Sequence, residues 1–230
     1  MNDELSKRDV FIILAYQSAA SHGYIFSKLR LVSMTWDNYS SAMHFYIDGQ
    51  ISDDDDESIN LIGTYFGLDS VGGCDEICSL NLIRIDYPEP ISFEGECVFA
   101  RKENPPIGKV KRGVLTEKGL KRRDKVLIAA QRAMIGLIFS QIRHVVLQWT
   151  EDTACISFRV DGELAKDGRL SIEQIRQYFT MQFPKEEMIR CDVQIFRIDF
   201  PTVPTVDLGT IVYSRKEYSS NGGQYYPTRG

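Results

Sequence analysis

Apolar residues recur at helical spacing over residues 9–24, at Val10, Ile13 and Leu14, and over residues 121–137, at Val126, Leu127, Ala130 and Met134. Gly23 and Gly136 stand where these helices should stop. Two short runs of β-formers follow, Leu29–Trp36 and residues 42–47, joined by the turn formers Asp37, Asn38, Tyr39 and Ser40. Asp48-Gly49 and Asp161-Gly162 read as hairpin turns after the second strand. A second helix is expected from about residue 55 to 66. Its counterpart has Ile172, Ile175 and Phe179 on one face, Ser171 as N-cap and Gln174 at the capping-box position. Residues 78–86 and 96–103 are the last two strands, with Pro88 and Pro201 ending the first of them in each half.

The two halves match because the chain is a tandem duplication. Trp36 and Trp149 are its only tryptophans, and the offset between them carries the rest of the first half onto the second. Ile25-Phe26-Ser27 falls on Ile138-Phe139-Ser140, and Asp48-Gly49 on Asp161-Gly162. Arg84-Ile85-Asp86-Tyr87-Pro88 falls on Arg197-Ile198-Asp199-Phe200-Pro201. After a one-residue slip, Arg101-Lys102-Glu103 falls on Arg215-Lys216-Glu217. The expected fold class is α+β: an α-β-β-α-β-β unit built twice, each a small, mainly antiparallel sheet covered by two helices. The domains are residues 1–103 and 121–217. Residues 104–120, with Pro105, Pro106, Gly108 and Gly113, form a linker, and residues 218–230 form a tail.

Composition adds limits. At 230 residues, with 43% hydrophobic and 26% charged, the chain can bury a core and is not disordered as a whole. No apolar run reaches a membrane span, and the charged N-terminus has no signal-peptide core. Five cysteines, an odd count and widely spaced apart from Cys74 and Cys78, argue for a reduced, cytosolic setting. Cys78 and Cys191 share one repeat position inside a β-run and read as small core residues.

Charge separates the copies. Residues 1–103 hold 7 Lys/Arg against 18 Asp/Glu, whereas residues 104–230 hold 20 against 14. The densest acidic feature is Asp53, Asp54, Asp55, Asp56 and Glu57, placed just before the second helix of copy one. Its equivalent in copy two is Lys166-Asp167-Gly168-Arg169-Leu170. One or two carboxylates complement a helix N-terminus; five repel one another, which points to a docking patch for a basic partner. The run lacks the alternation, central Gly and twelfth-position Glu of a calcium loop. A basic cluster spans Lys109, Lys111, Arg112, Lys118, Lys121, Arg122, Arg123 and Lys125, without the interleaved aromatics that would stack bases.

No catalytic motif emerges. His22, His44 and His144 have no zinc-motif partner, and Cys74 and Cys78 are not at ligand spacing. There is no phosphate-binding glycine loop and no nucleophile elbow. Arg84/Asp86 and Arg197/Asp199, two apart on a strand, share a face and read as repeated ion pairs with a structural role. Trp36 and Trp149 read as core or edge anchors.

The acidic run Asp53 to Glu57, the αββαββ order and the lack of enzyme motifs together resemble the immunity proteins of bacterial polymorphic toxin and contact-dependent growth inhibition systems. That resemblance implies a non-enzymatic, cytoplasmic protein that neutralises a cognate toxin, a basic nuclease domain, by tight association. No metal or cofactor is expected, for want of clustered ligands or a nucleophile-base pair, and no membrane partner, for want of an apolar span; the oligomeric state stays open. A nucleic-acid or ribonucleoprotein adaptor using the basic second copy is the alternative, and an enzyme with a site between the copies is a third reading.

Overall fold

The computed structural model describes residues 24–36, 40–69, 77–103, 121–187, 189–202, 209–218 and 224–225. The helix expected over residues 9–24, the linker, Cys74 and His22 lie outside them, apart from Tyr24.

Copy one contains β1 (Leu29–Trp36), β2 (Ser40–Ile47), α1 (Asp53–Asp69), β3 (Ile77–Arg84) and β4 (Glu96–Ala100). Copy two contains α2 (Arg122–Met134), β5 (Ile142–Trp149), β6 (Thr153–Val160), α3 (Lys166–Met181), β7 (Arg190–Arg197) and β8 (Thr210–Ser214). The two four-stranded sheets have one topology, β3-β2-β1-β4 and β7-β6-β5-β8, so the duplication is real in three dimensions. Two pairs in each sheet are antiparallel, but β2/β3 and β6/β7 run parallel. The second helix of each unit is the crossover that a parallel pair requires. Asp48-Gly49 and Asp161-Gly162 are therefore not hairpin turns. Gly49 and Gly162 both take φ 75°, which a glycine adopts at little cost, and lead the chain from a strand into a helix.

Both second helices begin earlier than expected. In copy one, Ser52 caps α1: its Oγ accepts from the Asp55 amide at 3.2 Å, and Asp55 Oδ2 accepts from the Ser52 amide at 3.3 Å. The acidic run is thus the first turn of α1, not a loop before it. In copy two, α3 starts at Lys166 behind Ala165, with no side-chain cap. Ser171 lies inside α3 and donates to the Asp167 carbonyl at 2.9 Å, so it is not the N-cap.

α2 is buried almost all round, from Val126 to Ala130 and at Gln131, Ala133 and Met134. It packs on α3 and β8 of its own copy and on β4 of the other. A helix apolar on only one stripe could not fill that position. Trp36 and Trp149 are half-buried against the core, and Cys191 is buried, its thiol pushed up to about 12 by desolvation. Within the tail, Gln224–Tyr225 pairs antiparallel with Glu217–Tyr218.

A pseudo-twofold cleft and an acidic helix start

Each copy is held at its last strand by the other. The Gly136 amide donates to the Ala100 carbonyl at 2.8 Å and the Lys102 amide to the Ile138 carbonyl at 2.7 Å. The symmetric bond runs from the Lys216 amide to the Ile25 carbonyl, also 2.7 Å. Parallel bridges Arg101↔Ile138 and Ile25↔Arg215 complete the exchange. Backbone just beyond β4 and β8 thus pairs with the neighbouring copy.

The lysine of each repeated Arg-Lys-Glu triplet crosses in the same way. Lys216, from copy two, is buried against the start of α1, where Nζ donates to Ser58 Oγ at 2.7 Å and to the Asp54 carbonyl. Asp55, itself buried, lies 3.7 Å from that ammonium. Burial pulls the Lys216 pKa down, and the carboxylate of Asp55 offsets part of that shift. Lys102, from copy one, donates to Ser171 Oγ at 2.8 Å and to the Asp167 carbonyl at 3.4 Å on α3. Opposite it stands Gly168 in place of Asp55. A Cβ there would sit 3.2 Å from the ring of Phe139 and 3.1 Å from Leu164, tighter than ordinary contact.

Buried arginines support the same region. Arg30 and Arg143 occupy the register shifts of β1 and β5, and a bulge re-aims a side chain at such a point. Arg30 forms a 2.6 Å ion pair with Glu103, both side chains 2% exposed, and donates to the Ile85 and Glu89 carbonyls at 2.8 and 2.9 Å. Arg143 donates to the equivalent carbonyls of Ile198 and Thr202, both at 2.7 Å. Hydrogen bonding to Glu103 raises the Arg30 pKa. Neither arginine stood out in the sequence, although both fall inside apolar runs at matching repeat positions.

The repeated aspartates fasten the adjoining loops. Asp48 Oδ1 accepts from the Tyr87 amide and Asp161 Oδ1 from the Phe200 amide, each at 3.0 Å. Asp86 and Asp199 accept from the Gly49 and Gly162 amides at 2.9 Å and pair with Arg84 and Arg197 at 2.8 Å. The Arg84 hydrogen bond and the Gly49 amide together hold Asp86 down to about 2, and Asp199 is lowered for the same reasons.

Between the copies these elements enclose a cleft of about 770 Å³ on the pseudo-twofold axis. Ile25, Phe26 and Ser27 face Ile138, Phe139 and Ser140 across it. Tyr87 and Phe200, 45% and 41% exposed, are matching aromatic residues of the lining. Arg101, held by Glu103 at 2.9 Å, and Arg215, 3.8 Å from Asp161, are further members. Lys102 and Lys216 line the same cleft, which therefore adjoins both second-helix starts.

The acidic run is not uniform. Asp55 is consumed by the cap and by Lys216, whereas Asp53, Asp54, Asp56 and Glu57 are exposed. Of the basic cluster, Lys125 pairs with Glu187 at 2.8 Å, and Arg122 donates to the Glu151 carbonyl at 2.8 Å and lies over the Phe183 ring. Lys109, Lys111, Arg112 and Lys118 fall outside the described residues. His44 shares a 3.1 Å hydrogen bond with Thr35, and buried His144 one of 2.9 Å with Ser214.

A duplicated α+β scaffold with an axial cleft and one acidic helix start is a body suited to binding another macromolecule. The chain belongs to the MafI2 immunity protein family, whose model matches twice, over residues 9–103 and 123–217. This is a family of polymorphic toxin systems, and its members neutralise a toxin partner. No curated protein matches the chain. No helix among the described residues is long and apolar enough to cross a membrane.

Proposed function

We infer that this protein neutralises a basic nuclease toxin by tight, non-catalytic association in the cytoplasm of a bacterium that makes the toxin for contact-dependent growth inhibition. In this reading residues 1–103 and 121–217 are the two binding units, joined by 104–120 and followed by the tail 218–230. The supporting observation is the cluster of four exposed carboxylates on the first turn of α1. Copy two has no such cluster on the same scaffold. A nuclease must itself be basic where it holds phosphates, so an acidic inhibitor surface competes for that face and speeds encounter. Asp53, Asp54, Asp56 and Glu57 are the docking residues; Asp55 acts on the fold.

The test is recovery of tagged protein from its native host with its partner, identified by mass spectrometry. Expressed alone, the partner should arrest growth and degrade nucleic acid, and co-expression of this chain should restore both. A partner that arrests growth without cleaving nucleic acid removes the nuclease assignment. A partner that is harmless alone removes the immunity reading.

A further inference from the structure

We propose that the pseudo-twofold cleft receives an extended segment of the toxin and that an acidic side chain of this segment pairs with Lys102. The proposal rests on the immunity reading and assigns its second contact, distinct from the acidic helix start. The cleft has a built interior, with matched Phe26 and Phe139, Tyr87 and Phe200, and Ser27 and Ser140 lining it. Its volume suits a few side chains of an inserted segment. Two exposed aromatics in such a lining are the residue type that anchors an interface.

Charge selects the occupant. Each cleft cation other than Lys102 has a carboxylate partner: Glu103 for Arg101, Asp161 for Arg215 and Asp55 for Lys216. Lys102 is only half-buried and meets a hydroxyl and a carbonyl, Ser171 Oγ and Asp167 O. Where symmetry would supply a carboxylate, copy two has Gly168, crowded by Phe139. Among the described residues, one cleft cation therefore lacks a carboxylate partner, and an incoming carboxylate would complete the second lysine as Asp55 completes the first. Such a pair, shielded from water, acts on dissociation more than on encounter.

The probe is the purified toxin domain recovered as above. Its association and dissociation are followed with the full-length chain, with S140W to obstruct the cleft from an exposed lining position, and with K102E. Both variants should raise Kd by about tenfold or more, chiefly through faster dissociation. Replacing one toxin acidic residue by lysine should restore binding to K102E, which a general loss of fold would not allow. Thermal unfolding of S140W should match the parent. If the toxin binds the parent but S140W leaves its affinity unchanged, the cleft is not the site and the immunity reading stands. If affinity falls in S140W but no toxin charge reversal rescues K102E, the acidic anchor is wrong. If the purified domain does not bind the parent chain, the immunity reading fails first.

Discussion

The starts of α1 and α3 occupy the same place in the two copies, and each receives a lysine from the opposite copy. At α1 the lysine is buried and meets Asp55; at α3 it is half-buried and faces Gly168 beside Phe139. The shared parts are backbone exchange, crossing lysines and buried arginines. The differing parts are charges at a surface that the shared parts hold in place. Among the described residues, the exposed carboxylates that distinguish copy one, unlike that of Asp55, make no contact that ties the two copies together.

The comparison can be broken most forcefully at its common base. Arg30→Met strands the buried Glu103 carboxylate and leaves the Ile85 and Glu89 carbonyls without their donor. A loss of about 3–5 kcal/mol is expected, as for other broken buried pairs, read from urea unfolding. Arg143→Met takes the donor from the Ile198 and Thr202 carbonyls in the same way and should likewise lower stability in urea unfolding.

Within the acidic run, Asp55→Asn should destabilise by roughly 1–2 kcal/mol through loss of the cap carboxylate and the Lys216 pair. Asp54→Asn should stay within about 0.5 kcal/mol in the same unfolding experiment. Equal effects would show that the five carboxylates are equivalent after all.

The quadruple change Asp53→Asn, Asp54→Asn, Asp56→Asn, Glu57→Gln should slow association with the toxin domain by about tenfold at low salt and leave dissociation nearly unchanged. In stopped-flow work the difference should shrink as salt rises. From the sequence alone, stability should hold or rise slightly, because removing a like-charge run relieves repulsion. With these residues in a first helical turn, the lost dipole interaction opposes that gain, and unfolding should show no increase in stability.

The smallest effect concerns pH. Asp86 is lowered to about 2 and Asp199 is lowered as well, so both contribute stability above the ordinary aspartate range of about 4. That contribution should fade as pH drops from about 4 through 2. Asp86→Asn should lower the melting temperature slightly at pH 7, where the paired carboxylate contributes, and its difference from the parent should vanish as pH falls through about 2.

The repeat was legible because identities such as Arg84-Ile85-Asp86 survive in both copies and because helix and strand periods differ. The parallel β2/β3 pair was not: Asp48-Gly49 has the composition of a hairpin turn, and only the position of β3 beside β2 shows otherwise. Ser171 resembles a cap because serine satisfies either a helix end or the carbonyl one turn back. The acidic run was visible as charge, but its division into one structural and four exposed carboxylates depends on Lys216, which is remote in sequence. Arg30 could have been found as a charge inside an apolar run, repeated at Arg143. The cleft could not, since its walls come from segments that only the exchange between copies brings together.

That exchange also bears on how the molecule can change. In an assembly of two identical subunits, every substitution appears on both sides of the axis, so an improvement on one side is also imposed on the other. Joining the two halves in one chain removes that obligation. Gly168 and Asp55 can differ, one rim of the cleft can become acidic while the other does not, and selection can tune the two sides of the axis to different parts of an asymmetric target.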